Sequence, residues 1–196
     1  MNRDSVAGSG TGTRGPDGGT EGEPAPREVT ELAAQTVQYI HAALGVELDY
    51  TGDTLPLVDH HLRNVPVDQA ATIALIVSTA GAYFGEVVRR QLGGEWELDD
   101  DEPIHWRLTL PSQISFAPAG LVASAIAQND DLDEVDTALD APLSVRPYLE
   151  AALGRMSQVT AEEYYSLCGR LDTLEHVQAV LTATLAAARK AGAESL

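Results

Sequence analysis

Three adjacent residues, Asp59, His60 and His61, have side chains that bind transition metals and support hydrolytic chemistry. They lie in a segment with apolar residues at helical spacing, where neighbouring side chains point about 100° apart. Two adjacent histidines on a helix cannot readily hold one ion, because a helical pair needs a spacing of three or four residues. We therefore predict a solvated polar face here, with Asp59 paired to Arg63 one turn on, and no metal site.

A second acidic stretch, residues 129–140, places oxygen ligands at the alternate positions of a calcium-binding loop. Its first, third and fifth residues are Asn, Asp and Asp, and Asp140 occupies the twelfth position. The sixth position of such a loop requires glycine for a sharp turn, and Glu134 stands there instead. The pattern therefore favours an acidic connection between helices that binds neither calcium nor another cofactor. We call residues 129–140 the acidic loop.

Glu86 lies among the apolar residues of a long helical stretch, directly after Gly85 and one turn before Arg90. A buried carboxylate needs partners or a raised pKa. The favoured interpretation is a structural ion pair, or a hydrogen bond to the hairpin that follows. The alternative is a hydrolase that uses Glu86 with His61 or His105 in a cleft, which requires these side chains to converge within hydrogen-bonding distance.

The net charge of the chain limits the classes of partner that it can bind. Its 196 residues contain 30 acids and 12 bases, for a net charge of −18. Such a surface repels phosphate backbones and anionic membranes, so the sequence predicts binding to neither nucleic acid nor membrane. The favoured explanation of the surplus of acids is solubility, or a salt-rich cytoplasm. The surplus also suits a basic protein partner, because opposite charges steer association.

The compartment is predicted from the cysteine count and the N-terminus. Cys168 is the single cysteine, which fits a reducing compartment, and its helical surroundings indicate a buried apolar role rather than a nucleophile. The N-terminus lacks a basic region followed by an apolar run, which a signal peptide would need. We therefore expect a cytoplasmic protein.

Helical periodicity dominates the elements that must position these residues. Residues 1–27 are rich in Gly, Pro and charge, and we predict that they form a disordered tail. Residues 28–192 then form one domain, which begins with a helix at 28–44. The stretch from Asp68 to Leu92, with Leu75 among its apolar residues, predicts a central helix buried on several sides. Gly81 and Gly85 stand four residues apart on one face of this helix, which allows another backbone to approach closely.

The periodicity changes after the central helix and returns to helical later. Trp96 and Leu98 alternate with acids, and apolar residues alternate with Arg and Thr over residues 106–110. This alternation predicts a hairpin around the acids at 99–102. A third strand at 114–116 and a helix from Pro118 follow. From about residue 143 the chain is helical again, and Thr160 with Glu163, and Asp172 with Glu175, each have the spacing of a capping box. The predicted class is α+β: helices packed around a small antiparallel sheet, with a helical C-terminal segment.

The order of glycines, aromatic residues and one acid in residues 48–118 carries a resemblance. A segment like DYT..TL..VD precedes GAYFGEVVRR, and then GG.W and a hairpin follow. This order resembles that of a group of uncharacterised bacterial domains, with the matches at Gly81, Tyr83, Gly85, Glu86, Gly94 and Trp96. The resemblance implies a fold with a tight junction between helix and hairpin, rather than an activity.

We therefore expect a non-enzymatic module that binds another protein, as an immunity protein that neutralises a toxin or a regulatory adaptor does. No nucleophile elbow, phosphate-binding loop or zinc spacing favours an enzyme. The sequence leaves the oligomeric state open and assigns no catalytic residue. The candidate binding residues are Tyr83, Glu86, Trp96, Asp99, Asp100 and Asp101.

Overall fold

The computed structural model describes residues 24–66, 69–156 and 159–193, and it confirms the α+β class. Most of the predicted tail, and Asp68, lie outside the described residues. The helices in the described parts of the chain are α1 (Arg27–Leu44), α2 (Leu55–Arg63), α3 (Ala70–Leu92), α4 (Pro118–Ala127), α5 (Arg146–Leu153), α6 (Ala161–Tyr164) and α7 (Leu167–Ala193). The strands are β1 (Glu95–Glu97), β2 (Arg107–Thr109) and β3 (Ser115–Phe116).

Helix α3 is the centre of the core, but only its C-terminal half is buried throughout. From Thr79 to Val88 every residue is buried, because α1, α4 and the sheet cover this part. Leu75, which is predicted to lie in the core, is 45% exposed, whereas Ile76 and Val77 beside it pack against the core, so Leu75 lies on the outer face of the helix. By length and composition α3 could cross a membrane, yet 61% of its most apolar window is buried, which is typical of a core helix.

Two glycines on α3 allow its neighbours to come close. A Cβ atom at Gly81 would collide with the backbone of Ala119 at the start of α4. A Cβ atom at Gly85 would overlap the ring of Trp96 on β1. The spacing of four residues places both glycines on one face of the helix. The close approach that this spacing predicts is therefore confirmed, with one contact to a helix and the other to the hairpin.

The three strands form an antiparallel sheet in the order β1-β2-β3. Trp96 pairs with Leu108, and Leu108 pairs with Phe116, so these three residues share the face turned to the core. The alternate residues Glu95 and Thr109 lie on the opposite face. The predicted hairpin and third strand are confirmed, because alternating apolar and polar residues specify which face is buried.

The C-terminal helices form a second, smaller core in which α5 packs on α7. Thr160 and Glu163 make the predicted capping box at α6, with each side chain bonded to the other residue's backbone N–H. A second box predicted at Asp172 and Glu175 is wrong, because both residues lie inside α7. The helix begins earlier, at Leu167.

Candidate functional site

The six candidate binding residues fall into two separate groups. Tyr83, Glu86 and Trp96 form what we call the helix–hairpin junction, where Tyr83 and Glu86 are buried and Trp96 is half-buried. Asp99 to Asp101, with Glu102, form the connection that follows β1, and all four are exposed. We call residues 99–102 the acidic turn. The first group is therefore positioned to hold the fold together, and the second is open to a partner.

Glu86 has a full set of partners although only 3% of its surface is exposed. Its carboxylate accepts hydrogen bonds from the Arg89 Nε at 2.7 Å and from the Trp96 Nε1 at 2.8 Å. The Arg90 Nε lies 3.5 Å away. Burial alone would raise the pKa of Glu86, but the hydrogen bonds from Arg89 and Trp96 outweigh it and hold the pKa below its ordinary value. The group is thus a charged structural anchor rather than a proton donor.

Tyr83 joins α3 to the connection between α1 and α2. Its hydroxyl shares a 2.9 Å hydrogen bond with the Thr54 Oγ1 and accepts the backbone N–H of Tyr50 at 3.2 Å. Asp49 in turn accepts hydrogen bonds from Thr54 and Thr51. Burial raises the pKa of Tyr83, so the phenol stays protonated. The residues of the DYT..TL motif therefore form a structural network that ends on α3.

Asp100 gives the acidic turn a fixed shape. Its Oδ1 accepts the Glu102 backbone N–H at 2.8 Å, and its Oδ2 lies 3.1 Å from the His105 Nδ1. Its backbone carbonyl accepts the Trp106 indole N–H at 2.8 Å. The hydrogen bond from Glu102, followed by that from His105, lowers the pKa of the Asp100 carboxyl. Because these hydrogen bonds of Asp100 fix the backbone of the turn, the other acids of the turn are held in a defined arrangement.

The remaining acids of the turn have no partner among the described residues. Asp99, Asp101 and Glu102 make no side-chain hydrogen bond or ion pair with the described part of the chain. Six of the eight residues from 95 to 102 are acidic. Glu95 and Glu97 extend the charge onto the outer face of β1. The result is a continuous exposed acidic strip along one edge of the sheet.

The acidic loop uses its charge differently. Asp130 accepts hydrogen bonds from the buried Arg170 at 2.7 Å, from the Ser124 hydroxyl at 2.6 Å and from the Tyr164 hydroxyl at 3.0 Å. The Arg170 guanidinium also lies 4.2 Å above the Tyr164 ring. This cluster ties α4, α6 and α7 to the loop. The acids of the loop therefore hold arginines in place.

A second arginine is held by the other end of the acidic loop. Arg107 on β2 forms ion pairs with Asp136 and with Asp140, the latter at 3.0 Å. It also donates a hydrogen bond to the Ser115 hydroxyl at 2.9 Å. These contacts fasten the loop to the outer face of the sheet. The described residues contain no group of three or more His, Cys, Asp or Glu that could hold a metal ion.

Neither histidine of the hydrolase alternative contacts Glu86 within the described residues. His105 is paired with Asp100 in the acidic turn. His61 lies half-buried beside a small cavity between α1, α2 and α3, with Thr36 and Thr79 nearby. Burial lowers the pKa of His61, which favours its neutral form. The structure thus places the three residues in three different environments.

Asp59 and Arg170 are structural residues that the sequence analysis missed. Asp59 is buried and accepts the backbone N–H groups of Leu167 at 2.7 Å and Cys168 at 3.2 Å, so it caps α7. The predicted pairing of Asp59 with Arg63 is wrong, because Arg63 lies 3.5 Å from Glu162 instead. Asp59 stands four residues after a buried leucine and three before another, and that spacing could have shown its inward direction.

Cys168 has the properties of a structural residue. Burial, and then the nearby Asp59 carboxylate, raise the pKa of its thiol to about 12. A thiol with that pKa is protonated at neutral pH and is a poor nucleophile. The side chain is half-buried rather than buried as predicted.

No family model, curated protein or solved structure matches the chain. The resemblance to the uncharacterised bacterial domains stays a prediction.

Proposed function

We propose that this protein is a non-enzymatic cytoplasmic module that binds a basic protein partner through the acidic turn. The supporting observation is that Asp99, Asp101 and Glu102 are exposed and unpaired among the described residues, while Asp100 fixes their backbone. A turn that is already ordered loses little conformational entropy when a partner binds. An immunity-like protein or a regulatory adaptor fits this description.

Electrostatic steering explains why the unpaired acids matter more than the total charge. A net charge of −18 attracts any cation, but this attraction is screened over about 10 Å at 0.1 M ionic strength. Short-range contacts with Lys or Arg side chains require free carboxylates within a few ångströms. The acidic turn offers three such groups in four residues. The hydrolase alternative has no supporting contact and stays a prediction.

The test compares two variants that each remove three negative charges. One carries Asp99→Asn, Asp101→Asn and Glu102→Gln, with Asp100 kept because it shapes the turn. The control carries Asp131→Asn, Asp133→Asn and Glu134→Gln, exposed acids of the acidic loop. The partner is first identified by native mass spectrometry of gently purified protein. Its Kd is then measured for both variants between about 50 mM and about 500 mM NaCl.

We expect the acidic-turn variant to weaken binding at least about tenfold at low salt and to flatten the salt dependence. The control variant should keep most of the affinity. Equal losses in both variants would show that only the total charge matters. A purified protein without any partner, or salt-insensitive binding, would contradict the proposal.

A further inference from the structure

An apolar groove lies between the end of α5, the short helix α6 and the first turns of α7. Its volume is about 790 Å³, within the range of about 300–1,000 Å³ that is usual for ligand pockets. Its apolar lining includes Leu153, Met156, Val159 and Tyr164. The groove is separate from the acidic turn, because none of its lining residues belongs to the hairpin.

The walls of the groove expose apolar side chains to solvent. Among the described residues nine large hydrophobic side chains are exposed, and five of them fall between residues 143 and 164. Three of these five line the groove: Leu153 at 37%, Val159 at 54% and Tyr164 at 42% exposure. Single exposed apolar residues are common, but a concentration around one concavity marks a surface that another molecule covers.

The charges in the groove identify the kind of molecule. Glu163 and Asp172 belong to the lining, which contains no Lys, Arg or His. Asp172 is exposed at its edge. The Glu163 carboxylate is held by Thr160 in the capping box, so the exposed Asp172 is the acid that a basic group beside an apolar stripe would meet. We propose that this groove is a docking site for a basic amphipathic helix of a partner protein.

The open shape of the groove favours a helix over a small ligand. A small molecule lying between exposed walls would leave its own outer side in water. A partner helix can place apolar side chains from its positions i, i+3 or i+4 and i+7 against Leu153 and Tyr164, and the rest of the helix then covers the exposed lining. Lysine or arginine residues that flank this stripe would then reach Asp172. The proposal concerns a second surface and does not depend on binding at the acidic turn.

The test uses two synthetic peptides of about 18 residues that contain only Leu and Lys. One has its leucines on a single helical face, and the other has the same composition in an order without such a face. Fluorescence anisotropy measures the Kd of each peptide for the full chain and for three variants. These are the groove variant Leu153→Ser/Val159→Ser, the control Leu143→Ser, and the acidic-turn variant described above. Leu143 is 82% exposed and lies outside the lining.

We expect the amphipathic peptide to bind the full chain at least about tenfold more tightly than the reordered peptide. The groove variant should lose at least about tenfold in affinity, and the Leu143→Ser control should stay within about twofold. Since all substituted residues are exposed, circular dichroism melting curves should show that each variant remains folded.

Three results would overturn the proposal. If both peptides bound equally well and the groove variant kept this affinity, charge attraction alone would explain the binding. If only the acidic-turn variant then lost affinity, the result would favour the proposed function and reject the groove. No binding of the amphipathic peptide at about 1 mM would reject the groove directly. Binding of the uncharged dye N-phenyl-1-naphthylamine that the peptide cannot displace would assign the groove to a small apolar ligand.

Discussion

The acidic turn and the acidic loop have similar compositions, but the structure uses their charges in opposite ways. The turn holds four acids in residues 99–102, and the loop holds six in residues 129–140. In the loop, Asp130 binds Arg170, and two further aspartates bind Arg107. In the turn, the described contact of an acidic side chain with another side chain is the hydrogen bond between Asp100 and His105.

The positions of the arginines explain the difference. Arg170 comes from α7 and Arg107 from β2, so both are far from the loop in sequence but close to it in space. A buried guanidinium is costly unless it is paired, so the loop acids are required by the fold. Among the described residues no arginine forms an ion pair with the acids of the turn. Its charge therefore remains available for intermolecular contacts, and the two segments should respond differently to the same substitution.

The largest effect is expected for Asp130→Asn in the acidic loop. The substitution leaves Arg170 without its carboxylate, and the side chain of Arg170 is only 10% exposed. We expect the free energy of unfolding to fall by about 2–3 kcal/mol. Urea denaturation monitored by circular dichroism measures this change.

Asp133→Asn provides the matched control, because Asp133 is an exposed acid in the same loop. Its free energy of unfolding should stay within about 0.5 kcal/mol of the parent value. If the two substitutions had equal effects, the distinction between paired and unpaired acids would not hold.

A smaller effect is expected for Asp136→Asn at the other end of the loop. Arg107 keeps Asp140 as a partner and is partly exposed, so solvent screens the pair. We expect a loss of about 1 kcal/mol in the free energy of unfolding. A double-mutant cycle with Arg107→Gln should give a coupling energy of about 0.5–1 kcal/mol. Additive effects would mean that this ion pair contributes nothing to stability.

The smallest effect is expected in the acidic turn and depends on pH. The pKa of Asp100 is lowered from its ordinary value of about 3.8, chiefly by the Glu102 N–H and then by His105. A group with a depressed pKa in the folded state stabilises the fold fully above its ordinary pKa, and this contribution is lost as pH falls through the folded pKa. NMR titration of the carboxyl carbons should show Asp100 titrating below the ordinary pKa of an aspartate.

Asp100→Asn should remove this small acid-dependent contribution without unfolding the protein at neutral pH. A titration midpoint for Asp100 at the ordinary value for an aspartate would contradict the hydrogen-bonded turn. Acid sensitivity that is unchanged in the variant would place the effect elsewhere, for example at the buried Glu86, whose pKa is also lowered.

Much of the fold follows from local patterns in the sequence. The hairpin and its third strand were predicted because alternating apolar residues leave one orientation in which Trp96, Leu108 and Phe116 all face the core. The close contacts at Gly81 and Gly85 were predicted from their spacing on one helical face. The buried state of Glu86 and its bond to the hairpin were also predicted, because an acid within an apolar helix needs partners.

The errors share a physical cause, which is long-range contact. Asp59 was paired with Arg63 because a local partner stood one turn away, but α7 begins more than one hundred residues later and presents its free N–H groups to Asp59. Leu75 is predicted to be buried because its helix is apolar on most sides, but the packing of the core covers the face with Ile76 and Val77 and leaves Leu75 exposed. Long-range packing also separates the candidate binding residues, because Tyr83 and Glu86 are buried while the acids of the acidic turn are exposed.

The sequence by itself determined the secondary structure, the faces that are buried and the acidic character of the chain, because these depend on local periodicity and composition. Only the tertiary structure decided which acids are neutralised, because Arg107 and Arg170 reach the acidic loop across 29 to 40 residues of sequence. The same packing left the acidic turn free and formed the apolar groove between α5, α6 and α7. Pairing energies depend on distances in space, and no local pattern in the chain encodes those distances.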